Sequence, residues 1–333
     1  MEQKEKTIAL VAGCSGGHII PALTIANNDY SKYKKVFFAK NHNLDKDILA
    51  KATLDHTVFI SLINVPYKHI LLIPKFLFQF AIAFITSFIT LFKTRPTKII
   101  STGSYIALPV CLAGKVLQIP IELYELNVEP GLAIKLLSRI ATKVHVCFAS
   151  TQKLFHQVQC TQTNYPVRFQ LADKIIDKQP VYKKHQFDPA RKTLFILGGS
   201  QGSQFLNGLI KQIVEINPAV KTEWQVIHQT GNDTSTDWDS FYSNLKIPAI
   251  TFSYTNELAD YYALSDLIIT RAGAGILAEI VFFEKSCIVI PLTTATTHHQ
   301  KLNASALAKA HPNLFHVLEQ DNKMIMKISQ QLS

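Results

Sequence analysis

The stretch TIALVAGCSGGHIIPALTIA, residues 7–26, decides how the first half of the chain is read. Residues 7–12 are almost wholly apolar, as in a short strand buried on both faces. GCSGGH, residues 13–18, follows without a spacer, and a helical run begins at Pro21. Strand, glycine turn and helix in that order open a unit of parallel sheet. In such a turn the backbone N–H groups and the positive end of the helix dipole face outward, so anions bind there.

Outward from this opening, short apolar runs at 36–39, 58–60, 98–101, 119–124 and 143–148 alternate with helical stretches. That alternation predicts parallel strands covered by helices. The opening then recurs: TLFIL, residues 193–197, is a second buried strand, GGSQGS, 198–203, its turn, and 205–216 an amphipathic helix. Later strands are expected at 224–228, 249–252, 267–270 and 287–291. The pattern predicts an α/β chain of two Rossmann-like, doubly wound domains. A length of 333 residues suits two domains, drawn here at 1–160 and 161–333. Residues 159–189, rich in Lys, Gln and Pro, are the linker candidate.

Hydrophobic residues are 47% of the chain and charged ones 17%, which excludes bulk disorder. The formal net charge of +10 suits an anionic partner, or else a solvated basic surface. The basic residues are dispersed and form no known nucleic-acid module, so no nucleic-acid partner is expected. Five scattered cysteines without a C-x-x-C pair argue against a disulfide framework or zinc site and fit a reducing compartment. The apolar run at 8–12 is too short for a signal peptide. Asp45-Lys46-Asp47 and Asp237-Trp238-Asp239 match D-x-D, but neither directly follows a strand end. Both are read as surface acids, and no metal is expected.

Residues 70–92, ILLIPKFLFQFAIAFITSFITLF, are long and greasy enough to raise a membrane span. Pro74 and Lys75 interrupt the run, Gln79, Thr86, Thr90 and Lys93 make a thin polar stripe, and Lys68, Lys93 and Arg95 flank it. Three readings stand open: a helix with its greasy face on a membrane surface, a core helix, or a span.

Neither glycine loop is a dinucleotide fingerprint, and neither carries the Lys of a Walker loop. A kinase or ATPase is disfavoured, and so is a nicotinamide dehydrogenase. A third loop, RAGAG at 271–275, follows the strand LIIT, with Glu279 four residues after Gly275. That spacing turns the carboxylate back toward the loop, where it can take the hydroxyls of a ribose. The plainer readings are tight turns and an ordinary helix acid.

These stretches resemble the MurG family of UDP-N-acetylglucosamine transferases. GCSGGHIIPALTIA (13–26), STGSYIALP (101–109), ELNVEPGLAIKLLSRIA (125–141) and YPVR (165–168) are similar to its motifs in order and spacing. LGGSQGSQFLN (197–207), HQTG (228–231), RAGAGILAEI (271–280) and HQKLNA (299–304) continue the match. The sequence departs from the family at Cys14 and Ser104, where glycine is usual, and at Tyr124 and Leu126, in place of His and Gln.

The resemblance implies a GT-B fold: two Rossmann-like domains, an inter-domain cleft, and a greasy, basic membrane-facing patch on the first. It implies inverting transfer of GlcNAc from UDP-GlcNAc to an undecaprenyl-diphosphate-linked muramyl peptide, with no cofactor. The enzyme would sit peripherally on the cytoplasmic face of the bacterial inner membrane, against its anionic surface. His18 is the candidate base, or else it orients the acceptor; Glu125 is a second base candidate, or else a local cap. The donor-binding set is Ser15, Gly16, Gly17, Asn127, Arg168, Ser200, Thr255, Ala274, Gly275, Glu279 and Gln300. The alternatives are the same fold with another lipid or small-molecule acceptor, a UDP-GlcNAc epimerase, or a non-catalytic UDP-sugar-binding relative.

Overall fold

The apolar run after the charged N-terminus becomes β1 (Thr7–Val11), whose last four residues are fully buried. Its side chains alternate between two helix layers. Ile8, Leu10 and Ala12 pack with Ile19, Ala22 and Ile25, while Ala9 and Val11 pack with Ile106, Val110 and Leu91. This two-sided burial is why the strand shows no polar alternation. The computed structural model describes residues 5–66, 69–199, 202–255, 257–292, 298–321 and 323–333.

Two compact units divide the chain, residues 1–168 and 169–333. In the first, β1 is joined by β2 (Lys34–Lys40), β3 (His56–Ile60), β4 (Ile99–Ser101), β5 (Ile121–Glu125), β6 (Lys143–Val146) and β7 (Gln159–Gln162). All pair in parallel, in the order β3-β2-β1-β4-β5-β6-β7. The second unit holds β8 (Lys192–Leu197), β9 (Trp224–Gln229), β10 (Ala249–Phe252), β11 (Leu267–Thr270), β12 (Ser286–Val289) and β13 (Phe315–Val317). Their order, β10-β9-β8-β11-β12-β13, is also wholly parallel. Each sheet is therefore a doubly wound Rossmann-like sheet that reverses its winding beside its first strand.

Two expectations need correction. The boundary expected at 160/161 would cut β7, which pairs with β6, so the first unit runs on to Arg168. The expected linker, 159–189, is structured. It holds β7 and the helices Leu171–Lys174 and Lys178–His185, and it sends Val181 and Phe187 into the second unit's core.

The helices of the first unit that matter below are α1 (Gly16–Asp29), α2 (Asn43–Leu49), α3 (Ile73–Thr94), α4 (Ala107–Val116) and α5 (Leu132–Leu137). Helix α3 returns the chain from the edge strand β3 to β4, and its 22 residues span roughly 33 Å. One side of it is seated: Ala83, Ser87 and Leu91 are buried, Phe76, Phe80, Phe84 and Phe88 pack partly, and the Ile63 N–H donates to Gln79 Oε1 at 2.9 Å. Leu77, Phe78, Ile82, Ile85, Ile89 and Phe92 on the same helix are exposed. The stretch Ile70–Thr94 is long and apolar enough to cross a membrane, yet only 11% of its most apolar window is buried, so the core-helix reading fails.

A charged cluster ties β4, β5 and β6 together. Lys98 donates to Glu122 Oε1, and His145 Nε2 lies 3.4 Å from Glu122 Oε2. The hydrogen bond with His145, and then Lys98, hold the Glu122 carboxyl down to about 2 from an ordinary 4.5. A carboxyl whose folded pKa is depressed stabilises the fold fully above its unfolded pKa and ceases to as pH falls through the folded one. The thermal midpoint of the parent should exceed that of Glu122→Gln at pH 6, and the two should converge between about pH 4.5 and pH 2. A gap that stays constant across that range would show that the Glu122 charge is not the stabilising element.

Candidate active site

Winding reverses between β1 and β4, so the loops that leave their C-terminal ends face each other with no covering crossover, the usual binding crevice of such sheets. The first loop leads through Cys14 and Ser15 into α1; the second is Thr102 to Tyr105. Two reciprocal hydrogen bonds join them: Thr102 Oγ1 donates to the His18 carbonyl at 2.8 Å, and His18 Nδ1 lies 2.8 Å from the Thr102 carbonyl. A carbonyl oxygen only accepts, so the neutral ring carries its proton on Nδ1 and its lone pair on Nε2. That tautomer is the one a proton acceptor needs. Gly103 (φ +109) makes room for the ring, because a Cβ there would meet His18 Cε1 at 3.2 Å.

Both positions where the family carries glycine are left-handed here, Cys14 at φ 70 and Ser104 at φ 80. Their side chains meet, with Cys14 Sγ 3.2 Å from Ser104 Oγ.

Glu125 ends β5 and is buried. Its Oε1 accepts from the Asn127 backbone N–H (2.9 Å) and side-chain amide (3.2 Å), and its Oε2 accepts from the Gly131 N–H (2.8 Å). Burial raises its pKa against these hydrogen bonds. With both oxygens accepting these hydrogen bonds, Glu125 caps the 127–131 loop, the second of its two expected roles. Tyr124 and Leu126 are core residues, packed with Tyr165 and Cys147. Tyr124 also stacks on His145 at 4.3 Å between ring centroids. The two residues that depart from the family motif therefore face the core.

In the second unit the winding reverses between β8 and β11, which brings Ser203, after β8, beside Arg271, after β11. Gly202 (φ +73) lies against the HQTG turn, where a Cβ would strike Gly231 Cα at 2.7 Å. The Gly199 N–H donates to Gln229 Oε1 at 3.1 Å, and Asn207 Nδ2 donates to the Thr230 carbonyl at 3.0 Å. His228 is wholly buried between Asn207 Oδ1 and the Tyr242 hydroxyl. Burial drops its pKa to about 3, so it is a neutral structural residue. HQTG thus supports the loop after β8 from behind.

Arg271 was not singled out beforehand. Its guanidinium donates from Nε to Ser203 Oγ (3.3 Å) and from Nη1 to the Ile290 carbonyl (3.1 Å), and stacks on the Phe205 ring. It sets a fixed positive charge under the loops, and the helix Ala274–Phe283 adds the N–H groups of Ala274 and Gly275 at its N-terminus. Glu279, buried on that helix, accepts from the Tyr262 hydroxyl at 2.8 Å. Gln300 Oε1 accepts from the Leu292 N–H at 3.1 Å, and Thr255 Oγ1 accepts from the Glu257 N–H at 3.0 Å.

The predicted residues divide between the two units. Ser15, Gly16, Gly17, His18, Glu125 and Asn127 belong to the first unit, with Arg168 as its last residue. Thr255, Ala274, Gly275, Glu279 and Gln300 belong to the second, and Ser200 lies outside the described residues. Thr102 and Arg271 were missed, although both sit at strand ends beside glycine loops. Asp45 corrects the surface-acid reading: it is buried under the first loop, whereas Asp237 and Asp239 are surface residues. Among the described residues, His185, Glu257 and Asp260 come close enough to hold a metal ion. The Lys184 ammonium, however, already bridges the two carboxylates at 2.8 and 3.3 Å.

Comparison with known proteins agrees with this layout. The glycosyltransferase family 28 N-terminal domain matches residues 8–146, and the family 28 C-terminal domain matches residues 193–333. Two Rossmann-like sheets carrying these two domains define a glycosyltransferase of the GT-B class. The UDP-N-acetylglucosamine--N-acetylmuramyl-(pentapeptide) pyrophosphoryl-undecaprenol N-acetylglucosamine transferase of Thermotoga petrophila is 32% identical over 309 residues, 89% of this chain and 83% of its own. The transferase of the same name from Pelagibacter ubique is 30% identical over 330 residues, 96% of this chain and 87% of its own. The chain belongs to this family of transferases, the MurG family. In fold it is similar to MurG of Acinetobacter baumannii, with a TM-score of 0.68 at 22% identity over 98% of this chain and 89% of that one. It is also similar to the UDP-GlcNAc 2-epimerase of Neisseria meningitidis, with a TM-score of 0.64 at 13% identity over 98% and 91%. The fold alone does not separate transferase from epimerase; the sequence relatives do.

The left-handed Cys14 gives a direct test of the first loop. An L-residue there costs about 1–2 kcal/mol, and the greater chain freedom of glycine offsets about 0.5–1 kcal/mol of the relief. Cys14→Gly should therefore leave stability unchanged or raise it by up to about 1 kcal/mol, measured by urea denaturation. A clear loss would mean that the Cys14–Ser104 contact outweighs the backbone strain.

Proposed function

We propose that the protein transfers N-acetylglucosamine from UDP-GlcNAc to the undecaprenyl-diphosphate-linked N-acetylmuramyl pentapeptide, with inversion at the anomeric carbon, in peptidoglycan synthesis. The observation that carries this reading is family membership over nearly the whole chain, together with the fixed tautomer of His18. His18 Nε2 takes the proton of the attacking acceptor hydroxyl as the bond to the anomeric carbon forms. The bond from that carbon to the diphosphate oxygen breaks on the opposite face, and UDP leaves with the electron pair. Arg271 and the N–H groups at Ala274 and Gly275 stabilise the charge that develops on the diphosphate. Glu279 takes the ribose hydroxyls, its second oxygen oriented by Tyr262. Glu125 shapes the Asn127–Gly131 loop on the acceptor side.

The exposed face of α3 fits a bilayer surface. It carries Leu77, Phe78, Ile82, Ile85, Ile89 and Phe92, with Lys75 near one end of the helix and Lys93 and Arg95 near the other. Its opposite side is seated on the domain, so the helix lies in the interface and does not cross it. This face, the basic excess and the lipid acceptor support a peripheral enzyme on the cytoplasmic face of the inner membrane. Tyr124 and Leu126 face the core, so they give no reason to prefer another acceptor.

Three measurements check this. Sugar-labelled UDP-GlcNAc and a short-chain lipid-linked muramyl pentapeptide should yield labelled disaccharide-lipid. His18→Ala should lower kcat by about 10²- to 10⁴-fold with little change in UDP-GlcNAc binding; retention of full kcat would remove His18 from the proton transfer. The double variant Ile82→Glu/Ile85→Glu should keep its fold and lose sedimentation with anionic vesicles, whereas undiminished sedimentation would remove α3 from the docking face.

A further inference from the structure

We infer that Asp45 is a positioning residue for transfer, one that holds the first glycine loop in the shape that aims His18. The inference deepens the functional reading above and rests on it.

Asp45 lies in the first turn of α2 and is 0% exposed. Its Oδ2 accepts from the backbone N–H of Cys14 at 3.0 Å and of Lys40 at 3.1 Å. Its Oδ1 is buried and has no hydrogen-bond partner. Half-satisfied buried carboxyls are costly, and where a fold keeps one, its geometry is usually put to use. Here the carboxyl is moulded to the turn. A Cβ on Gly13 would overlap Asp45 Oδ2 at 2.8 Å, so the acid packs directly on the bare face of the glycine.

The path from Asp45 to the base is short. The hydrogen bond to the Cys14 N–H pins that residue in its left-handed conformation, φ 70. Ser15, still extended, stands just before α1, and the N–H groups of His18 and Ile19 both donate to the Ser15 carbonyl at 3.2 Å. The direction of the first turn, and with it the His18 ring, follows from the bend at Cys14. On the other side, Cys14 Sγ touches Ser104 Oγ, which carries the same brace into the second loop. Without an acceptor at Asp45, only the contact with Ser104 opposes the return of Cys14 to an ordinary negative φ among the described residues, and α1 would start along another line.

The test is a double-mutant cycle on the whole protein. Asp45→Leu keeps the bulk and removes the acceptor oxygen; Asp45→Asn keeps one oxygen for the two N–H groups. In the parent background Asp45→Leu should lower kcat about 10- to 100-fold with KM for UDP-GlcNAc nearly unchanged, and Asp45→Asn should stay close to the parent. In the His18→Ala background Asp45→Leu should cost almost nothing further, because its effect passes through the missing ring. Alkylation of Cys14 by N-ethylmaleimide, located by mass spectrometry, should quicken in Asp45→Leu and not in Asp45→Asn. Equal losses in the two backgrounds, or a loss in KM for UDP-GlcNAc with kcat intact, would overturn the inference. If Asp45→Leu fails to fold, a soluble Asp45→Asn with the kcat of a base-less enzyme overturns it as well. An inactive parent would sink the functional reading instead, while the alkylation rates would still report on the loop.

Discussion

Parallel strands joined by right-handed crossovers can be laid outward from a first strand in only two directions. Both sheets of this chain use both directions, and the cost is a seam: between β1 and β4, and again between β8 and β11, neighbouring loops diverge and neither is covered. Everything chemical in the molecule hangs on these two seams. The glycine loops lie there because backbone must approach backbone closely, as at Gly202 against Gly231. The helices that start there turn their N–H groups outward. His18 and Arg271 sit one at each seam, and each is tied to the loop or strand end across it.

The two seams are finished differently. The second is braced by neutral, buried polar groups, the chain from Tyr242 through His228 and Asn207 to the backbone of Thr230. Such a network keeps its geometry over a wide pH range because its imidazole stays uncharged. The first seam is braced by a buried acid and two left-handed side-chain residues. It carries more strain, and it is the seam that holds the proposed base.

Much of this was legible in the sequence because the decisive elements are local. A buried strand followed directly by glycines and an apolar helix announces itself within twenty residues, and the chain does so twice. The central strands were found because burial on both faces makes them uniformly apolar. Two of the four edge strands, β7 and β13, were not. QCTQ in β7 is half solvated and polar, and β13 has three residues, so neither leaves a periodic trace. That omission also misplaced the domain boundary. Asp45 was misread for a related reason: a D-x-D pattern reads as hydrophilic, and only the tertiary fold brings Cys14 to it across 31 positions. Glu125 was legible as a base or a local cap, and the choice was not, since the bonds to Asn127 and Gly131 depend on how the loop folds back. Thr102 and Arg271 gain their meaning only from the strand order.

Helix α3 has one further consequence. It is the crossover that returns the chain to β4, so the sheet cannot form without it, yet half its circumference is Leu, Ile and Phe open to solvent. In water such a stripe can be covered only by another greasy surface, and the nearest supply is a second copy of the same chain. On the docking reading proposed above, the protein's solution behaviour becomes a matter of competition between self-association through this face and lipid. The net charge of +10 acts against that association by keeping free copies apart, so salt, by screening it, shifts the balance toward clustering.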